Sequence, residues 1–168
     1  QMSLSRSHRS FVSYLDKSRD YYAAQGYTVP YKWAYHQEVP FTPMKKPLSE
    51  SKLGVLTTAF FAEGKEPEGL PNFRNKQPYA APGDPVPNSL YTNDVFWDRD
   101  STNMDDLGSY LPIKILKSLK EQGTLGSLSK RFYGIPTDYS QRRSRSDAEE
   151  ILKWCKEDGV DAMLLVPI

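Results

Sequence analysis

The nine residues Val160-Asp161-Ala162-Met163-Leu164-Leu165-Val166-Pro167-Ile168 constrain the fold more than any other stretch. An apolar run this short, closed by a proline, is too brief for a buried helix and reads as a strand covered on both faces. The residues ahead of it specify a helix over 147–158. Ser146-Asp147-Ala148-Glu149 fits a capping box, with Ser146 as N-cap and Glu149 at N3. Ile151, Leu152 and Cys155 share one helical face, and Gly159 supplies the left-handed residue that ends the helix. Helix, glycine turn and apolar strand form an αβ unit. The run 160–166 is therefore expected to be a central strand of an α/β sheet.

The same alternation recurs upstream. Residues 53–60, within Lys52–Phe60, are apolar on both faces, as a strand sandwiched between helices should be. Leu111-Pro112-Ile113 opens a helix over 112–122, with Pro112 at its first position and Ile113, Ile115, Leu116 and Leu119 on the buried face; Gly123 ends it. A short strand follows at 131–135. The order strand, helix, strand, helix, strand predicts an α/β protein with an open parallel (Rossmann-like) sheet, flanked by helices and joined by right-handed crossovers.

The chain divides into an N-terminal region, 1–52, and an α/β domain, 53–168, interrupted by a long excursion at 62–108. Phe11, Val12, Leu15, Arg19 and Tyr22 recur at helical spacing, and Gly26 ends that helix. The first fifteen residues hold arginines and serines without an acid, as a transit peptide does. Asp16 and Asp20 lie in the same helix and favour a surface helix of the folded domain. An arm at 27–52 carries prolines at 30, 40, 43 and 47. Its aromatics at 27–41 (Tyr27, Tyr31, Trp33, Tyr35, Phe41) are expected to pack across the domain or a partner subunit, as in a homo-oligomer.

Charge and cysteine usage exclude several classes. With 22 basic and 21 acidic residues the net charge is +1, which lacks the basic excess of a nucleic-acid binder. No apolar run reaches the roughly 18 residues a membrane helix needs, so no membrane partner is expected. One cysteine precludes an internal disulfide and suits a reducing cytoplasm. With only His8 and His36 beside it, a zinc site is not expected. The acidic stretch Asn93, Asp94, Asp98, Asp100, Asp105 and Asp106 does not match calcium-loop spacing and reads as a solvated loop.

Candidate site residues follow from the predicted sheet, because open α/β sheets bind ligands beyond the carboxyl ends of their strands. Thr57 and Thr58 end the first strand, and Tyr133 and Tyr139 bracket the loop after the second. All four are candidates for substrate binding, with strand propensity and packing as the alternative. Arg142, Arg143 and Arg145 precede a predicted helix N-terminus, which suits an anion, with a solvated loop or an intersubunit salt bridge as the favoured alternative. Cys155 falls mid-helix on the buried face and is expected to be inert packing. No phosphate-binding loop, dinucleotide fingerprint, nucleophile elbow or zinc spacing occurs.

Four stretches carry a family resemblance. Pro40-Phe41-Thr42-Pro43-Met44-Lys45-Lys46-Pro47-Leu48-Ser49-Glu50-Ser51-Lys52 leads into the strand to Phe60. Leu111-Pro112-Ile113 leads to Leu119. Gly123-Thr124-Leu125-Gly126-Ser127-Leu128 is followed by Arg131-Phe132-Tyr133, and Gly159 to Pro167 completes the set. Together they resemble the selenoprotein B family of glycine, sarcosine, betaine and D-proline reductases over about residues 40–168. The resemblance implies an oxidoreductase acting on a C–N bond or related substrate; a partner reductase subunit, met through the aromatic arm at 27–41, is then the alternative to a homo-oligomer. It also implies a selenocysteine or cysteine redox centre just after Ile168, so the catalytic residue is expected beyond this chain and no cofactor within it. A further helix and strand are expected with that extension. Asn88-Ser89-Leu90-Tyr91-Thr92-Asn93-Asp94 lacks the histidine common in relatives, and Phe132-Tyr133 stands where many have His-Tyr. The alternative is a non-catalytic binding or assembly protein that keeps the α/β fold.

Overall fold

The computed structural model describes residues 13–29, 37–39, 41–92, 100, 102–138 and 140–168. They form two compact units, Gln1–Phe41 and Thr42–Ile168. In the first, helix α1 (Ser13–Ala24) ends where Gly26 adopts φ 88°. Tyr22 packs edge-on against Tyr21 and Tyr27, 5.5 and 5.7 Å between ring centroids. Of the aromatic arm, Tyr27 and Phe41 are exposed, while Tyr31, Trp33 and Tyr35 lie outside the described residues.

The second unit is an α/β sheet of five strands, mostly parallel. Strands β1 (Lys52–Thr57), β2 (Tyr79–Pro82), β3 (Ser127–Leu128), β4 (Arg131–Gly134) and β5 (Ala162–Val166) are joined by helices α2 (Ile113–Glu121) and α3 (Gln141–Glu157). Strand β1 is central. It pairs in parallel with β3 and β4 on one side and with β5 on the other, Leu53 opposite Ala162 through Thr57 opposite Val166. Strand β2 joins β4 antiparallel, Tyr79 opposite Gly134. The expected parallel alignment of the strands at 53–60, 131–135 and 160–166 is thus present.

Alternation along the strands sorts the core into two layers. Leu53, Val55 and Phe132 pack with Ile113 and Leu116 of α2. Leu56, Tyr133 and Met163 pack with Ile151 and Cys155 of α3. Two glycines permit close approaches. A Cβ on Gly54 would lie 2.9 Å from Met163 Cε, and one on Gly134 would lie 1.8 Å from Tyr79 Cε1. The bare Gly134 lets the Tyr79 ring lie across β4, where it meets Phe60, Phe61 and Phe132 with centroids 5.2, 5.7 and 5.9 Å away. Its hydroxyl donates to Ala59 O at 2.7 Å, and burial pushes its pKa upward.

Several expectations are corrected. Strand β5 is a sheet edge among the described residues, not a central strand, and Leu164 and Leu165 are 37% and 63% exposed. Strand β1 stops at Thr57, because the Thr57 hydroxyl accepts from Ala59 N at 3.2 Å and turns the chain away. Helix α3 begins six residues earlier than the capping box implied; Ser140 is its N-cap and accepts from Arg143 N. Ser140 wins because Asp138 Oδ1 also accepts from Ser140 N at 2.7 Å, which sets the turn into the helix. Pro112 is the N-cap of α2 rather than its first residue, and Ile115 is 58% exposed. Leu152 of α3 is 53% exposed and lines an open groove beside β5 among the described residues. The excursion contains β2, which alternation of type could not reveal in a Pro-Tyr-Ala-Ala-Pro run.

Candidate functional site

The carboxyl ends of β1, β4 and β5 meet in one place. Thr57 O accepts from Ile135 N at 3.0 Å, tying the end of β1 to the end of β4. The Thr58 hydroxyl donates to Ile168 O and accepts from Ile168 N, both at 3.0 Å, tying β1 to the end of β5. Above this junction a cavity of about 100 Å³ is lined by Thr58, Thr92, Thr137, Lys76, Phe60 and Phe73. Hydroxyls, one cation and two aromatic walls make it suited to a small polar ligand.

Lys76 holds a strained backbone, φ 46°, unusual for a residue with a Cβ. Its carbonyl accepts from Arg143 Nη2. Arg143 also pairs with Asp138 at 3.4 Å. The loop entering Lys76 is shaped by its asparagines: Asn72 N donates to Asn75 Oδ1 at 2.9 Å and Arg74 N to Asn72 Oδ1 at 2.9 Å. Asp147 of α3 is buried with Oδ2 unpartnered. Burial raises its pKa, against the lowering effect of Arg143, and Asp138 raises it further.

Of the residues expected to bind substrate, Thr58 lines the cavity. Thr57 is fully buried, its hydroxyl committed to the turn. Tyr133 points to the opposite, amino end of the sheet, so it does not line the crevice. There its hydroxyl donates to Asp158 Oδ2 at 2.5 Å, beside Arg131 Nε at 2.8 Å from the same oxygen and Ser129 Oγ at 3.4 Å. Tyr139 lies outside the described residues. The arginines do not precede the helix but occupy its first turns. Arg143 reaches the cavity's rim through Lys76, while Arg142 and Arg145 are exposed and line no part of it. Cys155 is buried, and burial raises the pKa of its thiol. Lys76, Thr92, Thr137, Phe60 and Phe73 were not among the expected ligand-binding residues. The paired asparagines at 72 and 75 were the one local sign of a shaped loop there.

Among the described residues no group of three or more His, Cys, Asp or Glu side chains could hold a metal ion. No helix among them is long and apolar enough to cross a membrane. The fold defines an open α/β sheet protein with a polar cavity at its strand ends. No protein-family model matches the chain, and neither a curated protein nor a solved structure matches it significantly.

Proposed function

We propose that this chain forms the α/β portion of a selenol- or thiol-dependent reductase resembling the glycine, sarcosine, betaine and D-proline reductase selenoprotein B family. The redox residue would follow Ile168, the compartment would be the cytoplasm, and the aromatic arm at 27–41 would meet a second copy or a partner reductase subunit. One observation carries the reading. The Thr58 hydroxyl clamps both backbone polar atoms of Ile168, at 3.0 Å each, so the end of β5 sits beside the strand-end cavity. A nucleophile next in sequence would stand at the ligand position typical of α/β sheets.

Within this chain, Lys76 and the hydroxyls of Thr58, Thr92 and Thr137 would bind and orient a small polar substrate, and Phe60 and Phe73 would exclude water from one side. Cys155 has no part in this chemistry, since its thiol is buried and its pKa raised by that burial. The same fact favours the second reading, a non-catalytic binding protein, for the 168 residues alone.

The test uses the polypeptide encoded in frame past Ile168, with any selenocysteine replaced by cysteine. Substrate-dependent oxidation of a dithiol should appear with one of the family's four amines and fall at least tenfold on Lys76→Met. An ordinary stop codon without a recoding signal, or activity indifferent to Lys76 and Thr58, would leave the binding protein as the better account.

A further inference from the structure

Two walls of the strand-end cavity come from loops far apart in sequence. Phe73 and Lys76 belong to the loop ahead of β2, Pro136 and Thr137 to the loop after β4. The first loop is held by its own bonds as far as Asn75. Asn75 N donates to Asn72 O at 3.1 Å, and Phe73 N to Phe61 O at 3.2 Å. Lys76 follows in the left-handed region, φ 46°. A residue with a Cβ stays there only where its surroundings hold it there. The bond on the Lys76 carbonyl comes from α3, donated by Arg143 Nη2.

The second loop is tied to the same guanidinium. Asp138, next to Thr137, pairs through Oδ2 with Arg143 Nη1 at 3.4 Å and accepts from Ser140 N through Oδ1 at 2.7 Å. Ser140 caps α3, so this carboxylate joins the loop, the helix start and the arginine. Asp147, one turn further along α3 and buried, is a second carboxylate that feels the charge of Arg143. A guanidinium suits this place because it is a rigid planar fork whose donors reach two acceptors at once, a geometry that an ammonium lacks. Arg143 thus spans the two walls, from the Lys76 carbonyl to the Asp138 carboxylate. Arg142 and Arg145, exposed on the same helix, line no part of the cavity.

We propose that Arg143 is a positioning residue for this cavity: by bracing the Lys76 loop against the Thr137 loop, it holds the Lys76 ammonium where a small anion binds. This rests on the reading above in which the cavity is the ligand site. The described lining holds one cation, three hydroxyls and no carboxylate, which suits an anion of few atoms. Arg143 is not part of that lining and acts through Lys76.

The experiment follows the Lys76 and Thr137 resonances of the 168-residue chain by nuclear magnetic resonance while acetate is added at constant ionic strength. A left-handed residue shows a strong cross-peak between its own amide and α protons, which reports the Lys76 backbone without any ligand. In Arg143→Met that cross-peak should weaken, the Thr137 amide should shift, and the affinity for acetate should fall roughly tenfold. Arg142→Met and Arg145→Met remove the same charge from the same helix and should leave all three as in wild type. Asp138→Asn keeps an oxygen for Ser140 N and removes the ion pair; it should lower the affinity about threefold, and it decides the matter if Arg143→Met does not fold. An unchanged Lys76 cross-peak in Arg143→Met, or an affinity lost equally in Arg142→Met, overturns the proposal. A wild-type chain that binds no acetate at these residues overturns the cavity as an anion site and the proposal with it. Intact binding that is indifferent to Arg143 and Asp138 overturns the brace alone and leaves the reading of the cavity standing.

Discussion

Replacing Asp158 by alanine tests the polar clamp that ties the end of α3 to the start of β4. Its Oδ2 accepts from the Tyr133 hydroxyl at 2.5 Å, from Arg131 Nε at 2.8 Å and from Ser129 Oγ at 3.4 Å. Tyr133 is fully buried, so its hydroxyl would lose a charged acceptor with no access to water, at a cost of about 1.5–3 kcal/mol. The Arg131 side chain is 32% exposed and its loss adds about 0.5–1 kcal/mol. The sum is a destabilisation of about 2–4 kcal/mol, read as a lower urea midpoint at pH 7 with an unchanged slope. Tyr133→Phe should cost less, since it removes the stranded donor, and the double variant should fall short of the two costs added. The pH dependence has a definite sign. Burial alone would raise the Asp158 pKa, but the hydrogen bonds from Arg131 and Tyr133 outweigh it and the net shift is downward. A carboxylate with a lowered folded pKa stabilises above the ordinary carboxylate range and loses that contribution as pH falls through the folded value. The gap between wild type and Asp158→Ala should therefore be full at pH 5–7 and close below about pH 4. A variant within about 0.5 kcal/mol of wild type at pH 7, or strictly additive costs, would refute the clamp.

Three further outcomes can be checked. Gly126→Ala would set a Cβ 2.7 Å from the Glu50 carbonyl carbon and 2.8 Å from Ser51 N, both rigid backbone, so a loss of about 1–3 kcal/mol is expected in the same denaturation assay. Thr57→Val strands the amide of Ala59 inside the core and should cost about 1–3 kcal/mol, with Thr57→Ser recovering most of it. Cys155 should react slowly with a thiol reagent at pH 8 in the folded chain and completely in urea; fast reaction without unfolding would contradict its burial.

What the sequence disclosed was the part governed by local pattern. The apolar runs around Val55, Phe132 and Leu164 became parallel strands because each is short, apolar and followed or preceded by an amphipathic helix. The position of those strands across the sheet was hidden, since an apolar run at an edge looks the same as one at the centre until its neighbours are known. Strand β2 was illegible because its identity depends on pairing with β4, fifty residues away, and on the Tyr79 ring crossing a glycine. The cavity was legible only in Thr58, which ends a strand. Lys76, Thr92 and Thr137 belong to three separate loops, and nothing periodic joins them. The candidate pair Thr57 and Tyr133 shows the limit from the other side: both are the expected residue type near the expected strand, yet one turns inward and the other toward the opposite end of the sheet.

The central position of β1 has a consequence during synthesis. This strand is translated early, but Leu53 finds its partners only at Leu128 and Ala162. Translation at about 5–20 residues per second takes about 5–20 s to deliver the last of them. For that interval the chain trails an unpaired Leu-Gly-Val-Leu segment from the ribosome, with the aromatic pair Phe60-Phe61 just behind it. The hairpin-like contact of β2 with β4 cannot relieve this, since β4 also comes late. The sheet can therefore close only late, and its central strand is the one that waits longest for partners.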